Sequence, residues 1–137
     1  MKTVRRRGVT FDVHNDTENA GFWDLADWEA ENYATVERFA GRCSTFVNAG
    51  GWIGPFTLFA AKLYRHVYSL EPDPSAFAEL SRNVAANGFT NVHLENRAFY
   101  SESGTISIGS DHSPMGRSGT SIFQRQHAVV VPCETLR

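Results

Sequence analysis

The sequence predicts an α/β fold: a parallel sheet with flanking helices. Short β-forming runs at 44–48, 66–70 and 91–95 alternate with helical stretches at 55–63 and 75–87. The links between them are short, as expected for right-handed crossovers between parallel strands. A glycine-rich break, Ala49-Gly50-Gly51-Trp52-Ile53-Gly54, separates the first run from the first helical stretch.

Taken in order, Val9, Phe11 and Val13 alternate and predict an outer strand. A helix is expected over 28–39, with Trp28, Tyr33, Val36 and Phe39 near one face and Gly41 placed to end it. The aromatic group Phe22, Trp23, Trp28 and Tyr33 has two open readings, as core under the sheet or as part of a lid or substrate wall. Pro55 suits the first turn of its helix, where a missing N–H costs nothing. Phe77, Leu80, Val84 and Ala85 share a face of the next helix, and Asn87-Gly88 stops it. Beyond Ala98 the period changes. Runs at 105–108, 120–123 and 128–131 predict an antiparallel addition around a polar loop at 110–119.

Bulk properties narrow the function classes. The 137 residues fit one domain, with 42% hydrophobic and 20% charged residues. A net charge of −2 gives no electrostatic reason to expect nucleic acid. Lys2, Arg5, Arg6 and Arg7 form a small basic N-terminus without the apolar core of a signal peptide. No run approaches a membrane span, and cytoplasm is the expected location. Cys43 and Cys133 are too few for a disulfide scaffold and are expected to be free, buried thiols. The five histidines show no metal-ligand spacing with them. Asp111-His112-Ser113 reads as loop, and Arg117 and Arg125 read as solvated.

The bend and the acid after it carry the chemistry. Gly50 and Gly54 are four apart, which does not meet the dinucleotide glycine fingerprint and disfavours a nicotinamide dehydrogenase. Taken alone, the glycines could be a tight strand-to-helix turn. Glu71, 21 residues after Gly50, falls at the tip of the next strand. A carboxylate there can accept two ribose hydroxyls, or it can be a solvated strand end. Pro72 and Pro74 stiffen the turn around Asp73.

Four segments together resemble FkbM-type methyltransferases: 46–57, Glu71-Pro72-Asp73-Pro74, Ser81-Arg82-Asn83-Val84-Ala85-Ala86-Asn87-Gly88 and Asn96-Arg97-Ala98. Val131-Pro132-Cys133-Glu134-Thr135-Leu136 resembles that family's strand before its next helix. The resemblance implies a Rossmann-like domain over 42–137 that binds S-adenosylmethionine, capped by a strand/helix region at 1–41. It implies O-methylation of a hydroxyl on a sugar or small metabolite, with no nucleic-acid or membrane partner. Cofactor contacts would come from Asn48, Gly50, Gly51, Gly54, Glu71, Pro72, Asp73, Asn96 and Ala98. Gly50 and Gly54 would pass under the methionine part, Glu71 would bind the ribose, and Pro72 or Asp73 would line the adenine, with Asn96 and Ala98 closing its other side. Asn48 stands where the family usually has Asp, and Trp52 where it often has Asn. The family continues past the equivalent of Arg137 with a fourth strand and the loop that completes the site, so the fold is expected to be incomplete, with no catalytic base in view. Without that strand the sheet edge at 45–48 would be open to pairing, giving a homo-oligomer. The alternative is a shortened, inactive fold that serves as a binding or assembly module.

Overall fold

A computed structural model of the chain describes residues 1–110, 121–123 and 126–135. Its centre is a three-stranded parallel sheet of β3 (Thr45–Ala49), β4 (His66–Leu70) and β5 (Val92–Glu95), in that spatial order. Thr45 pairs with His66, and Val67 with Val92. The helices α2 (Pro55–Ala61) and α3 (Pro74–Ala86) are the crossovers. Two crossovers that advance in the same direction, each right-handed, lie on one face of the sheet. Val67 and Ser69 are therefore buried beneath them, while Val47 and Tyr68 on the opposite face are 44% and 43% exposed.

The basic N-terminus is a strand. β1 (Lys2–Arg6) and β2 (Val9–Val13) form an antiparallel hairpin that turns at Arg7 and Gly8, with φ of 46° and 86°. The alternation of Val9, Phe11 and Val13 fits β2; β1 was hidden because a core position holds arginine. Arg6 is buried, and its guanidinium donates to the carbonyls of Trp23 and Leu25 at 3.2 Å each. Lys2 pairs with Asp24, and Arg7 with Glu37.

Two asparagines of α3 tie the hairpin down. Asn83, fully buried, accepts from the His14 N–H and donates to the Ile53 carbonyl. Asn87 accepts from the Asp12 N–H and donates back to the Asp12 carbonyl. Val4, Phe11, Val13 and Trp23 accordingly share one core with Leu58, Phe59, Val67 and Leu80. The helix α1 (Ala30–Ala40) adds Tyr33 and Val36 to it. Gly41 ends α1 in an ordinary right-handed conformation, φ −77°, so the left-handed glycine stop is not used.

The C-terminal addition is a second small sheet. β8 (Val129–Glu134) lies between β6 (Ala98–Phe99), which is parallel to it, and β7 (Gly104–Ile108), which is antiparallel. Of the strand expected at 120–123, the described residues 121–123 hold a bridge between Ser121 and Gly109, with Ile122 and Phe123 in a turn. Asp111-His112-Ser113, Arg117 and Arg125 lie outside the described residues. Both cysteines are free, but Cys43 is exposed, a correction to the expectation of two buried thiols. No helix among the described residues is long and apolar enough to cross a membrane.

Candidate functional site

A cleft of about 370 Å³ opens at the carboxyl ends of β3 and β4, where open α/β sheets bind ligands. Asn48, Ala49, Gly50, Gly51 and Trp52 form one side, Glu71 and Pro72 another, and Trp28, Glu29, Pro55 and Phe56 the rest.

Glu71 links these walls. One carboxylate oxygen accepts from the Trp52 N–H at 2.7 Å and the other from the Asp73 N–H at 2.8 Å. The residue is 6% exposed, which rules out a solvated strand end. Burial pushes its carboxyl up from 4.5 to about 7, with the two N–H donors opposing and the nearby Asp73 adding to the rise. A carboxylate has about four lone-pair positions, so two remain beyond these N–H bonds.

The glycines divide by what lies behind them. Gly50 has φ +90°, and a Cβ there would meet nothing within 4 Å. Its N–H and that of Gly51 both donate to the Leu70 carbonyl, at 2.8 and 2.9 Å, which fixes the bend on β4. A Cβ at Gly51 would sit 2.3 Å from Ser69 Oγ and 3.0 Å from Leu80 Cδ2. Gly54, at φ +110°, would place one 3.0 Å from Leu80 Cδ1. Gly50 thus faces open space, while Gly51 and Gly54 permit close packing on α3. Gly54 is not part of the cleft lining.

Beneath the bend, Asn48 Nδ2 donates to Thr57 Oγ1 at 3.0 Å, and Thr57 Oγ1 lies 2.8 Å from Ser69 Oγ. Asn48 therefore has a local partner inward while also lining the cleft.

Besides Gly54, three expected contact residues sit elsewhere. Asp73 is 1% exposed and caps α3, accepting from the N–H groups of Ser75 and Ala76. It is not presented to the cleft, because the Asp-Pro pair starts a helix. Asn96 reaches across from beyond β5 and donates to the carbonyls of Glu71 at 2.7 Å and Pro72 at 3.2 Å. Ala98 is buried in the small core with Ile108, Val131 and Cys133.

Glu29 and Phe56 line the cleft without having been expected there, while Trp28 takes the substrate-wall alternative left open for the aromatic group. That group splits: Trp23 and Tyr33 are core, at 2% and 1% exposure, whereas Trp28 lines the cleft. Trp52 does so too, and its indole meets Phe22 edge-on at 4.5 Å. Among the described residues the lining holds two carboxylates, Glu29 and Glu71, and no lysine, arginine or histidine. Among the described residues no three metal-ligating side chains come together.

No protein-family model matches the chain. An uncharacterized RNA methyltransferase of Halalkalibacterium halodurans is 42% identical over 50 residues, covering 36% of this chain and 11% of the relative. Among solved structures, M. jannaschii TYW2 in complex with AdoMet is 24% identical with a TM-score of 0.45, over 67% of this chain and 41% of that one. Trm5b from Pyrococcus abyssi is 17% identical with a TM-score of 0.47, over 80% and 41%. The chain thus spans about a tenth of the curated relative and about two fifths of these solved chains.

Proposed function

We propose that this chain supplies the S-adenosylmethionine-binding half of a methyltransferase site. The observation that carries this reading is Glu71, a buried carboxylate held against the glycine bend with two acceptor positions to spare. The 50-residue match to a protein named as an RNA methyltransferase supports the same chemistry.

The residues present fit that cofactor. The open space at Gly50 lets the backbone approach a ligand closely. Glu71 accepts both ribose hydroxyls, and Pro72 lies against the base. Asn48 offers its amide oxygen to the methionine ammonium. Gly54, Asp73, Asn96 and Ala98 act indirectly, by fixing the bend, the α3 start, the Glu71 backbone and the adjoining sheet. The described lining, acidic and without basic side chains, suits a ligand with net positive charge and is poor for a dinucleotide pyrophosphate.

When bound, the cofactor supplies a methyl group activated on a sulfonium. The work left to the chain is positioning, for which well-oriented groups contribute about 7–11 kcal/mol in favourable cases. The FkbM resemblance gives a sugar or metabolite hydroxyl as acceptor. The name of the curated relative favours a second reading, RNA. The net charge of −2 and the lack of cations among the described cleft residues support the first, since RNA phosphates are bound by lysine and arginine.

Calorimetry of the full chain separates the readings. S-adenosylmethionine and S-adenosylhomocysteine are expected to bind and NAD not to. Binding of NAD alone overturns the proposal, and binding of none leaves an inactive module. With labelled cofactor, label in RNA overturns the hydroxyl acceptor.

A further inference from the structure

We infer that the rings of Trp52 and Trp28 make this cleft select a sulfonium over a neutral thioether, so that it holds S-adenosylmethionine more tightly than S-adenosylhomocysteine. The inference rests on the cofactor reading above and goes further, because that reading predicts binding of both.

Trp28, Trp52 and Phe56 line the same cleft as Glu71 and Gly50. They are partly buried and packed against the core, not within it. The two indoles lie 6.2 Å apart, centre to centre, and Trp28 stacks on Phe56 at 5.5 Å and 28°. Phe22 braces both from outside the lining, edge-on to Trp52 at 4.5 Å and to Trp28 at 4.7 Å. A cation within about 6 Å of a ring centre is attracted to its face, tryptophan being the strongest of the aromatic side chains.

The backbone at Trp52 points the same way. Its φ is 46°, in the left-handed region that a bulky residue rarely adopts. The neighbouring positive-φ positions of the bend, Gly50 and Gly54, are glycine. The N–H of Trp52 is held by Glu71 at 2.7 Å, so the same acid that would grip the ribose also fixes the residue carrying the indole. A strained residue kept at a ligand cleft is a functional candidate. The charge balance agrees. Among the described residues two carboxylates and no basic side chain line the cleft, so a positive sulfur meets favourable charge there.

The test compares affinities for S-adenosylmethionine and S-adenosylhomocysteine by calorimetry, with no turnover required. The wild-type chain is expected to prefer the sulfonium by about tenfold. In Trp52→Leu the ratio should fall towards one, because the packing lost with the indole weakens both ligands alike while the cation attraction is lost for the sulfonium alone. Trp52→Phe keeps a ring and should give an intermediate ratio. Should Trp52→Leu not fold, fluorinated tryptophans decide the matter, because they keep the shape and drain the ring face: the ratio should drop with each added fluorine. A ratio near one in the wild type, or one that neither substitution nor fluorination moves, overturns the inference and leaves the cofactor reading standing. Binding of neither ligand removes both.

Discussion

Replacing Glu71 by glutamine keeps its shape and removes one acceptor oxygen. In the wild type each carboxylate oxygen holds one backbone N–H, from Trp52 at 2.7 Å and from Asp73 at 2.8 Å. The amide can satisfy only one of them, and a buried N–H left unpaired costs about 1–3 kcal/mol. Working against that loss is the burial of the acid. Its carboxyl moves from 4.5 unfolded to about 7 folded. At about 1.4 kcal/mol per unit, the charged form is about 3 kcal/mol less favourable in the folded chain. Between those two values the folded state holds more protons than the unfolded one. The contribution of Glu71 is therefore fully present below pH 4.5 and is lost as pH rises through about 7. Glutamine does not titrate. Urea unfolding of both chains from pH 4.5 to 8 should show the wild-type advantage shrinking by about 3 kcal/mol. Ligand binding should change in the opposite sense. Ribose hydroxyls donate to the ionised acid, so affinity for S-adenosylhomocysteine should rise through pH 7, with proton release near neutrality. The variant should bind about tenfold or more weakly, without that rise. A stability difference that stays constant with pH would refute the burial argument.

Four other changes probe the surroundings. Gly51→Ala should cost about 1–3 kcal/mol in urea unfolding through overpacking on Ser69 and Leu80, whereas Gly50→Ala should cost about 1–2 kcal/mol in backbone strain and lose more in ligand affinity. Asn83→Ala leaves the His14 N–H and the Ile53 carbonyl without their partner, for a loss of about 2–4 kcal/mol in the same assay. On its outer side β3 is a sheet edge among the described residues, and Val47 there is 44% exposed. Light scattering should show self-association that Val47→Lys reduces, and a stable monomer in the wild type would count against the open-edge idea.

The strand–helix alternation from 45 to 95 was readable because each boundary carries local chemistry. Pro55 starts α2, Asp73-Pro74 starts α3, and Asn87-Gly88 ends it. The link between Gly50 and Glu71 was also readable, since both fall at the same end of neighbouring parallel strands. β1 was not, because buried Arg6 breaks the apolar alternation and finds its partners 17 and 19 residues away. Asn83 and Asn87 looked like family markers; their bonds to β2 and its flank span 69 and 75 residues, and nothing local announces them. Asp73 was read only as a base contact, and its use as the cap of α3 emerges from the fold. Trp52 stood in the sequence as a departure from the family pattern, but its left-handed φ and its place beside Trp28 and Phe22 show only in the fold.

The most direct check on the cleft is a backbone-amide NMR titration of the full chain with S-adenosylhomocysteine. Saturable shifts centred on Gly50, Gly51, Trp52 and Glu71 are the predicted result. Shifts confined to the opposite sheet face around Tyr68 and His93, or none at millimolar ligand, would contradict it.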